Sequence, residues 1–151
     1  MSVVSMTSPV GPLVIEEQAG RIVRLDWDTA PTESPTPLLR EAKAQLEAYF
    51  AGERTRFELP LAPAGTDFQQ RVWAAMAEIP YGETRTYGEL AAATGASARA
   101  VGSACGANPI PIILPCHRVV AAHGAGGYSG RGGLRTKGAL LDIEARKTRL
   151  L

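Results

Sequence analysis

Hydrophobic and polar positions along the chain change their period about a third of the way in. Val10-Gly11-Pro12-Leu13-Val14-Ile15 and Ile22-Val23-Arg24-Leu25-Asp26-Trp27 are short apolar or alternating runs separated by Gln18-Ala19-Gly20, the pattern of a small sheet. Thr29 to Pro37 holds three prolines among Ser and Thr and reads as a loop. From Leu38 the apolar positions Leu39, Ala42, Leu46 and Tyr49/Phe50 recur every three or four residues, which predicts a helix, and Gly52 supplies its stop. Phe57 to Leu61 is expected to add one more strand, and Pro60 to Gly65 reads as a linker between two halves.

The second half reads as mostly helical. Thr66 or Asp67 can cap a helix bearing Phe68, Val72, Trp73, Met76 and Ile79, which stops before Pro80. Thr86-Tyr87-Gly88-Glu89 matches a capping box, with Thr86 as N-cap and Glu89 reaching back; that helix ends at Thr94 because Gly95 follows. A second helix is expected from near Ser97 to about Ala107, so the two form a helix-turn-helix pattern. Its composition is unusual: nearly every side chain is small, and Arg99 is the only charge. Gly102 and Gly106 each cost about 1 kcal/mol of helix propensity relative to Ala. Close approach of the helix to a groove would offset that cost, and so would tight packing in a core.

Composition narrows the classes. The 151 residues are 45% hydrophobic and 21% charged, as in folded globular proteins, and this length allows one ordinary domain or two small ones. No apolar run, Ile110 to Leu114 with its interrupting Pro111 included, approaches the roughly 20 apolar residues of a membrane span. Met1 to Val10 lacks the basic and apolar regions of a secretory signal. Two cysteines, Cys105 and Cys116, exclude a disulfide framework and a four-cysteine zinc site. The net charge of +1 hides an asymmetry: residues 1–65 carry six Lys/Arg against nine Asp/Glu, and residues 66–151 carry ten against six. One basic half suits nucleic acid contacted on one side, although charge alone does not separate this from ordinary fluctuation.

The chemistry concentrates in Ile110-Pro111-Ile112-Ile113-Leu114-Pro115-Cys116-His117-Arg118-Val119-Val120, a strand-like run that delivers a cysteine beside a histidine and an arginine. Neighbouring cationic groups favour the thiolate, the nucleophilic form of cysteine. Adjacent residues of a strand face opposite ways, so Cys116 and His117 can cooperate only if Pro115 starts a turn. A lone Cys-His pair is more often structural than catalytic.

Pro-Cys-His-Arg-Val after Asn108-Pro109 and an apolar run strongly resembles the active site of the O6-alkylguanine-DNA alkyltransferases, the methylated-DNA–protein-cysteine methyltransferases. Further matches fall in the same order. Gly65 to Trp73 resembles the helix opening the family's C-terminal domain, and Ile79 to Thr84 with Tyr87 to Ala91 its first helix-turn-helix element. Arg99-Ala100-Val101-Gly102 is similar to the recognition-helix motif, Gly127-Tyr128-Ser129-Gly130 to the substrate-pocket loop, and Ser8 to Leu13 to the opening strand. The resemblance implies an α/β protein: an N-terminal ribonuclease-H-like sheet-and-helix domain over residues 1–64, then a mostly helical winged-helix-type domain over 65–151.

It also implies roles. Cys116 would accept the alkyl group, with His117 as its base through a water and Glu144, in the closing Leu140 to Glu144 helix, orienting that histidine. Asn108 would brace the turn between the recognition helix and the cysteine. Tyr87 would drive rotation of the nucleotide and hydrogen-bond the flipped guanine, and Arg99 would fill the vacated space. Backbone carbonyls at Cys116 and Val119 would accept from the guanine amino group, while Tyr128 and Ser129 close the pocket. Ala98, Ala100 and Gly102 would be small because a minor groove only about 6 Å wide excludes bulky side chains. The implied partner is double-stranded DNA bearing O6-alkylguanine, met through its minor groove by a monomer, with no membrane, metal or cofactor. The implied location is cytoplasmic, nucleoid-associated in a prokaryote. O4-alkylthymine repair, the range of alkyl groups and cooperativity on DNA stay open.

Some features depart from the family pattern. Gly130-Arg131-Gly132-Gly133-Leu134 is about two residues longer than the usual pocket loop by this comparison. Cys105 stands where relatives often carry a larger or non-thiol residue and reads as a packing residue, and His123 reads as a solvated turn residue. Three rival functions remain. Alkyltransferase-like binders lack the acceptor cysteine, which Cys116 argues against. A regulator reading an operator would need large base-reading side chains on residues 98–107, and a cysteine hydrolase would turn over an acyl substrate.

Overall fold

The computed structural model describes residues 1–123 and 133–150, with side chains as far as residue 146. The chain divides into two compact units, Met1–Ala64 and Gly65–Leu151.

The first unit is a three-stranded antiparallel sheet, ordered β1 (Ser2–Met6), β2 (Leu13–Gln18) and β3 (Arg21–Asp26), with one helix, α1 (Pro37–Phe50), packed against β2. Ala19 and Gly20 both have positive φ (53° and 78°), as a tight two-residue hairpin turn between right-twisted strands requires. Thr36 caps α1 by accepting from Leu39 N at 3.1 Å, and Pro37 takes the first helical position, where its missing N–H costs nothing. Leu39, Ala42, Leu46 and Tyr49 form the buried stripe of α1, and Leu13, Ile15, Ile22 and Leu25 are buried on the sheet. Burying each of the larger of these side chains stabilises the unit by about 1.5–3 kcal/mol.

Two expectations in this unit are corrected. Ser8 to Pro12, matched to an opening strand, is instead the turn between β1 and β2, closed by Gly11 N on Ser8 O at 3.1 Å; Pro9, Pro12 and Gly11 at φ 109° interrupt any ladder there. Phe57 to Leu61 is no strand beyond an isolated bridge at Leu61 to Ile22. The buried Gln45 side chain takes up the Glu58 backbone, accepting from its N at 2.9 Å and donating to its O at 3.2 Å, and Pro60 has no N–H to extend a ladder.

The second unit holds α2 (Asp67–Ala77), β4 (Arg85–Thr86), α3 (Tyr87–Thr94), α4 (Ala98–Gly106), β5 (Val119–Val120) and α5 (Leu134–Leu150). Thr66 and Gln69 form a capping box on α2, and Thr86 and Glu89 form one on α3. Gly65 has to be glycine, because a Cβ there would lie 2.4 Å from the Trp73 ring. α3 ends at Gly95 in the left-handed conformation, φ 70°, and Ser97 caps α4 by accepting from Ala100 N. The helix-turn-helix pair is fastened to α2 by the buried Trp73 indole, which donates to Ala104 O at 2.8 Å.

Candidate active site

The expected strand through Ile110–Leu114 is a buried loop. Leu114 N donates to Ile110 O at 2.9 Å, and Ile112 lies at φ 73°, a left-handed conformation that a β-branched residue adopts only under strong constraint. Two prolines in six residues, Pro111 and Pro115, remove the donors that a ladder would need. Asn108 holds the loop at both ends: its Nδ2 donates to Leu114 O at 2.8 Å and its Oδ1 accepts from Ile110 N at 3.0 Å.

After Pro115 the chain makes a single 3₁₀ turn, Cys116–Arg118, with Arg118 N on Pro115 O at 3.0 Å. With three residues per turn, successive side chains fan out around the axis instead of alternating across a strand. Cys116, His117 and Arg118 are all buried. β5 follows directly and pairs in parallel with β4, Arg85 opposite Val119 and Thr86 opposite Val120. That ladder sets the cysteine turn beside the N-terminus of α3, where Tyr87 sits.

Glu144 of α5 lies under the turn, 1% exposed. Its carboxylate accepts from His117 Nε2 at 2.7 Å, from Arg118 Nε at 2.9 Å and Nη2 at 3.1 Å, and from Gly82 N at 3.3 Å. Burial opposes its ionisation, but the hydrogen bonds from His117 and Arg118 and the charge of Arg118 win and hold the carboxyl down at about 2. Arg118 is itself anchored, Nη1 donating to Ile79 O at 2.7 Å and the guanidinium resting 5.7 Å from the Tyr81 ring centre. Burial pushes the His117 imidazole below its ordinary value despite the adjoining carboxylate. Its Nδ1 is buried with no hydrogen-bond partner among the described residues.

Sequence reasoning missed Lys137. It is wholly buried, its Nζ donating to Val119 O at 2.7 Å and to the Tyr87 hydroxyl at 3.5 Å, and its charge lies 5.6 Å from the centre of the Tyr87 ring. Burial pushes the ammonium down and the neighbouring cysteines raise it. The signal was available: Lys137, Leu140 and Glu144 fall at i, i+3 and i+7 of α5, so two charges sit on the helix's apolar stripe. Arg118, seen in the sequence only as a cysteine neighbour, was likewise not foreseen as a partner of Glu144.

Cys116, His117, Glu144, Val119 and Tyr87 thus meet around the 3₁₀ turn. The α4 residues present a different surface. Ala98 and Arg99 are exposed, Ala100 and Gly102 half-buried, while Val101, Ala104 and Cys105 face inward. A Cβ on Gly102 would come no nearer than 4.0 Å to any neighbour (Cε1 of Tyr87), and one on Gly106 would meet nothing within 4 Å, so internal packing does not call for either glycine. Cys105 packs beside Met76, Sγ to Sδ 3.6 Å, and burial pushes its thiol up to about 12. His123 is exposed. Tyr128 and Ser129 lie outside the described residues, as does most of the Gly130–Leu134 loop. No cluster able to hold a metal ion and no helix long and apolar enough to cross a membrane occurs among the described residues.

Comparison with known proteins gives this arrangement a family. Residues 3–63 match the 6-O-methylguanine DNA methyltransferase ribonuclease-like domain, and residues 67–146 match the DNA binding domain of the same family. The constitutive methylated-DNA–protein-cysteine methyltransferase of Bacillus subtilis is 46% identical over 91% of each chain. That of Mycobacterium leprae is 48% identical over 93% of this chain and 90% of its own. A crystal structure of Mycobacterium tuberculosis OGT in complex with DNA superposes with a TM-score of 0.87 at 48% identity, covering 97% of this chain and 94% of the other. With both halves matched and close relatives spanning nearly its whole length, the chain belongs to the 6-O-methylguanine DNA methyltransferase family, DNA-repair proteins that move an alkyl group from DNA onto one of their own cysteines.

Proposed function

We propose that this protein repairs O6-alkylguanine in double-stranded DNA by transferring the alkyl group to Cys116, irreversibly and once per molecule. The observation that carries this reading is the 3₁₀ turn, which presents a cysteine next to a histidine whose other ring nitrogen is held by a buried carboxylate. His117 donates from Nε2 to Glu144, so the neutral ring keeps its lone pair on Nδ1 and takes the Cys116 proton through a water. The thiolate attacks the alkyl carbon, a C–S bond forms and the C–O bond breaks; its electron pair goes to the guanine, whose oxygen becomes the carbonyl while a ring nitrogen takes up the proton that Cys116 gave to His117. The product is a thioether, a poor leaving group, so the acceptor is spent.

A base stacked in a duplex has to be flipped before its alkyl group reaches a buried thiol. Tyr87 serves this step at the mouth of the site, and Arg99, exposed on α4, fills the gap left in the stack. Ala98, Ala100 and Gly102 let the α4 surface approach a minor groove; the open space around Gly102 and Gly106 supports this, since no internal neighbour needs them small. The Cys116 carbonyl accepts from Val119 N and the Val119 carbonyl from Lys137 Nζ; a carbonyl oxygen carries two lone pairs, and by resemblance both also accept from the guanine amino group. Asn108 braces the loop that carries the cysteine. Tyr128 and Ser129 close the pocket by resemblance. The protein acts as a monomer, with no cofactor, in the cytoplasm, and in a prokaryotic host it associates with the nucleoid.

Intact-mass measurement after incubation with an O6-methylguanine duplex tests this directly. The protein should gain one methyl, about 14 Da, on Cys116, with transfer stopping at one per molecule and Cys116→Ser transferring none while still binding duplex. Product formed over many equivalents, or a methyl elsewhere, overturns it.

A further inference from the structure

Four donors converge on the Glu144 carboxylate, and two of them come from one guanidinium. We propose that Arg118 is a positioning residue that cancels the charge of Glu144, so that His117 stays a neutral imidazole with its proton on Nε2 and its lone pair on Nδ1. This deepens the reading of His117 as the base and rests on it.

In a dry site, charge balance decides which groups hold protons. His117, Glu144 and Arg118 are respectively 0%, 1% and 7% exposed, so water does little to screen them. A carboxylate alone beside an imidazole in such a place draws a proton onto the ring, and the resulting imidazolium has no lone pair with which to deprotonate a thiol. Arg118 removes that pull. It binds the carboxylate through two parallel N–H donors, Nε to Oε1 and Nη2 to Oε2, a fork that a single ammonium cannot reproduce, and it never loses its charge. With Arg118 in place, Glu144 and Arg118 sum to zero, and a proton on His117 would add an uncompensated positive charge.

The remaining neighbours act in the same direction or are silent. The charged groups acting on His117 are Glu144 and Lys137 from α5 and Arg118 from its own turn; both cations disfavour a second positive charge. The 79–82 segment contributes Ile79 O to Arg118, Gly82 N to Glu144 and the Tyr81 ring beneath the guanidinium, with Tyr81 Oη donating to Ile143 O at 3.5 Å. Cys116 on the same turn is the group to be deprotonated. An ionised carboxylate only accepts, so the hydrogen between His117 Nε2 and Glu144 belongs to the histidine, and the unpartnered Nδ1 is the atom left to receive a proton. The anchoring of Arg118 to Ile79 O stops the guanidinium from swinging away from Glu144 when the site is entered.

The experiment follows the His117 imidazole by nitrogen-15 NMR against pH, together with the pH profile of the second-order rate of Cys116 with free O6-benzylguanine, which needs no base flipping. The intact chain should keep His117 neutral, with the Nε2–H tautomer, at pH values where a free imidazole is already protonated. In Arg118→Met the ring should take up its proton at least about one pH unit higher, with the acid limb of the rate moving up alongside. Arg118→Lys should restore most of the neutral range. So should the double variant Arg118→Met with Glu144→Gln, which removes both charges and keeps an acceptor for Nε2–H; these two carry the test if the single Met variant does not fold. A ring in Arg118→Met that titrates as in the unaltered protein, or a double variant still protonated at the higher pH, overturns the proposal. If the titration moves and the rate does not follow, the role of Arg118 stands and His117 as base falls.

Discussion

Replacing Gly102 asks what the bare surface of α4 is for. The residue sits mid-helix, where glycine costs about 0.8–1 kcal/mol relative to alanine, and a Cβ there would approach nothing nearer than 4.0 Å. No clash offsets the propensity gain, so Gly102→Ala should stabilise the protein by about 1 kcal/mol and raise its melting temperature by roughly 2–4 °C. Gly102→Leu should retain most of that gain, since leucine is nearly as good a helix former. Duplex binding should move the other way: slightly weaker for Ala, and at least about tenfold weaker for Leu, a loss of about 1.4 kcal/mol, because four carbons then stand between helix and groove. Thermal melts and fluorescence anisotropy with a methylated duplex, at fixed salt, measure the two effects separately. A Leu variant that melts above the unaltered protein and binds duplex with the same Kd would refute the groove argument.

Other variants separate handling of DNA from chemistry. Arg99→Ala should slow reaction with duplex by about ten- to a hundredfold, matching an unstacking cost of a few kcal/mol, yet leave free O6-benzylguanine nearly unaffected; equal slowing of both would move Arg99 out of base extrusion. Cys105→Ser should still accept a full methyl equivalent and lose about 1–2 kcal/mol of stability for the hydroxyl buried beside Met76, and loss of transfer in a folded variant would contradict its packing role. Acid should weaken the fold in two stages. The depressed His117 binds fewer protons folded than unfolded, so stability declines as pH falls through about 6.5; the depressed Glu144 adds a second decline from about 4.5 towards 2. Urea midpoints against pH should lose the second stage in Glu144→Gln, and a Gln variant with the same acid limb would argue against the carboxylate as its source.

The helices were legible because their signals are local. Thr86 with Glu89, Gly95 after Thr94 and Ser97 before Ala98 fix where α3 and α4 begin and end, and short-range pattern captures all of these. The loop through Ile110–Leu114 was not legible: five apolar residues suit a strand, and only Asn108 reaching across to Leu114 and Ile110, with Ile112 at positive φ, makes them a turn. Phe57 to Leu61 was misread for a similar reason, because Gln45, thirteen positions away from Glu58, meets its hydrogen-bonding needs. At the site, Cys116, His117 and Glu144 came from resemblance to a family; the spacing of Cys-His alone did not single them out. Lys137 escaped because a lysine on an amphipathic helix is ordinarily solvated, and its burial depends on Val119 O and Tyr87 from distant parts of the chain.

The two-residue ladder between β4 and β5 also bears on the order in which the molecule assembles. Its partners, Arg85 and Val119, enclose about thirty-four residues, and the length-dependent entropy of closing such a loop is on the order of 3 kcal/mol. The capped helices α3 and α4 pack on each other across a three-residue turn, so their pairing costs less closure entropy than the ladder does. The ladder, and the twenty-seven-residue span from His117 to Glu144, have to wait for the helices they join. Under the proposed function, a cysteine that can be used only once gains its base only when the chain has closed the span from His117 to Glu144.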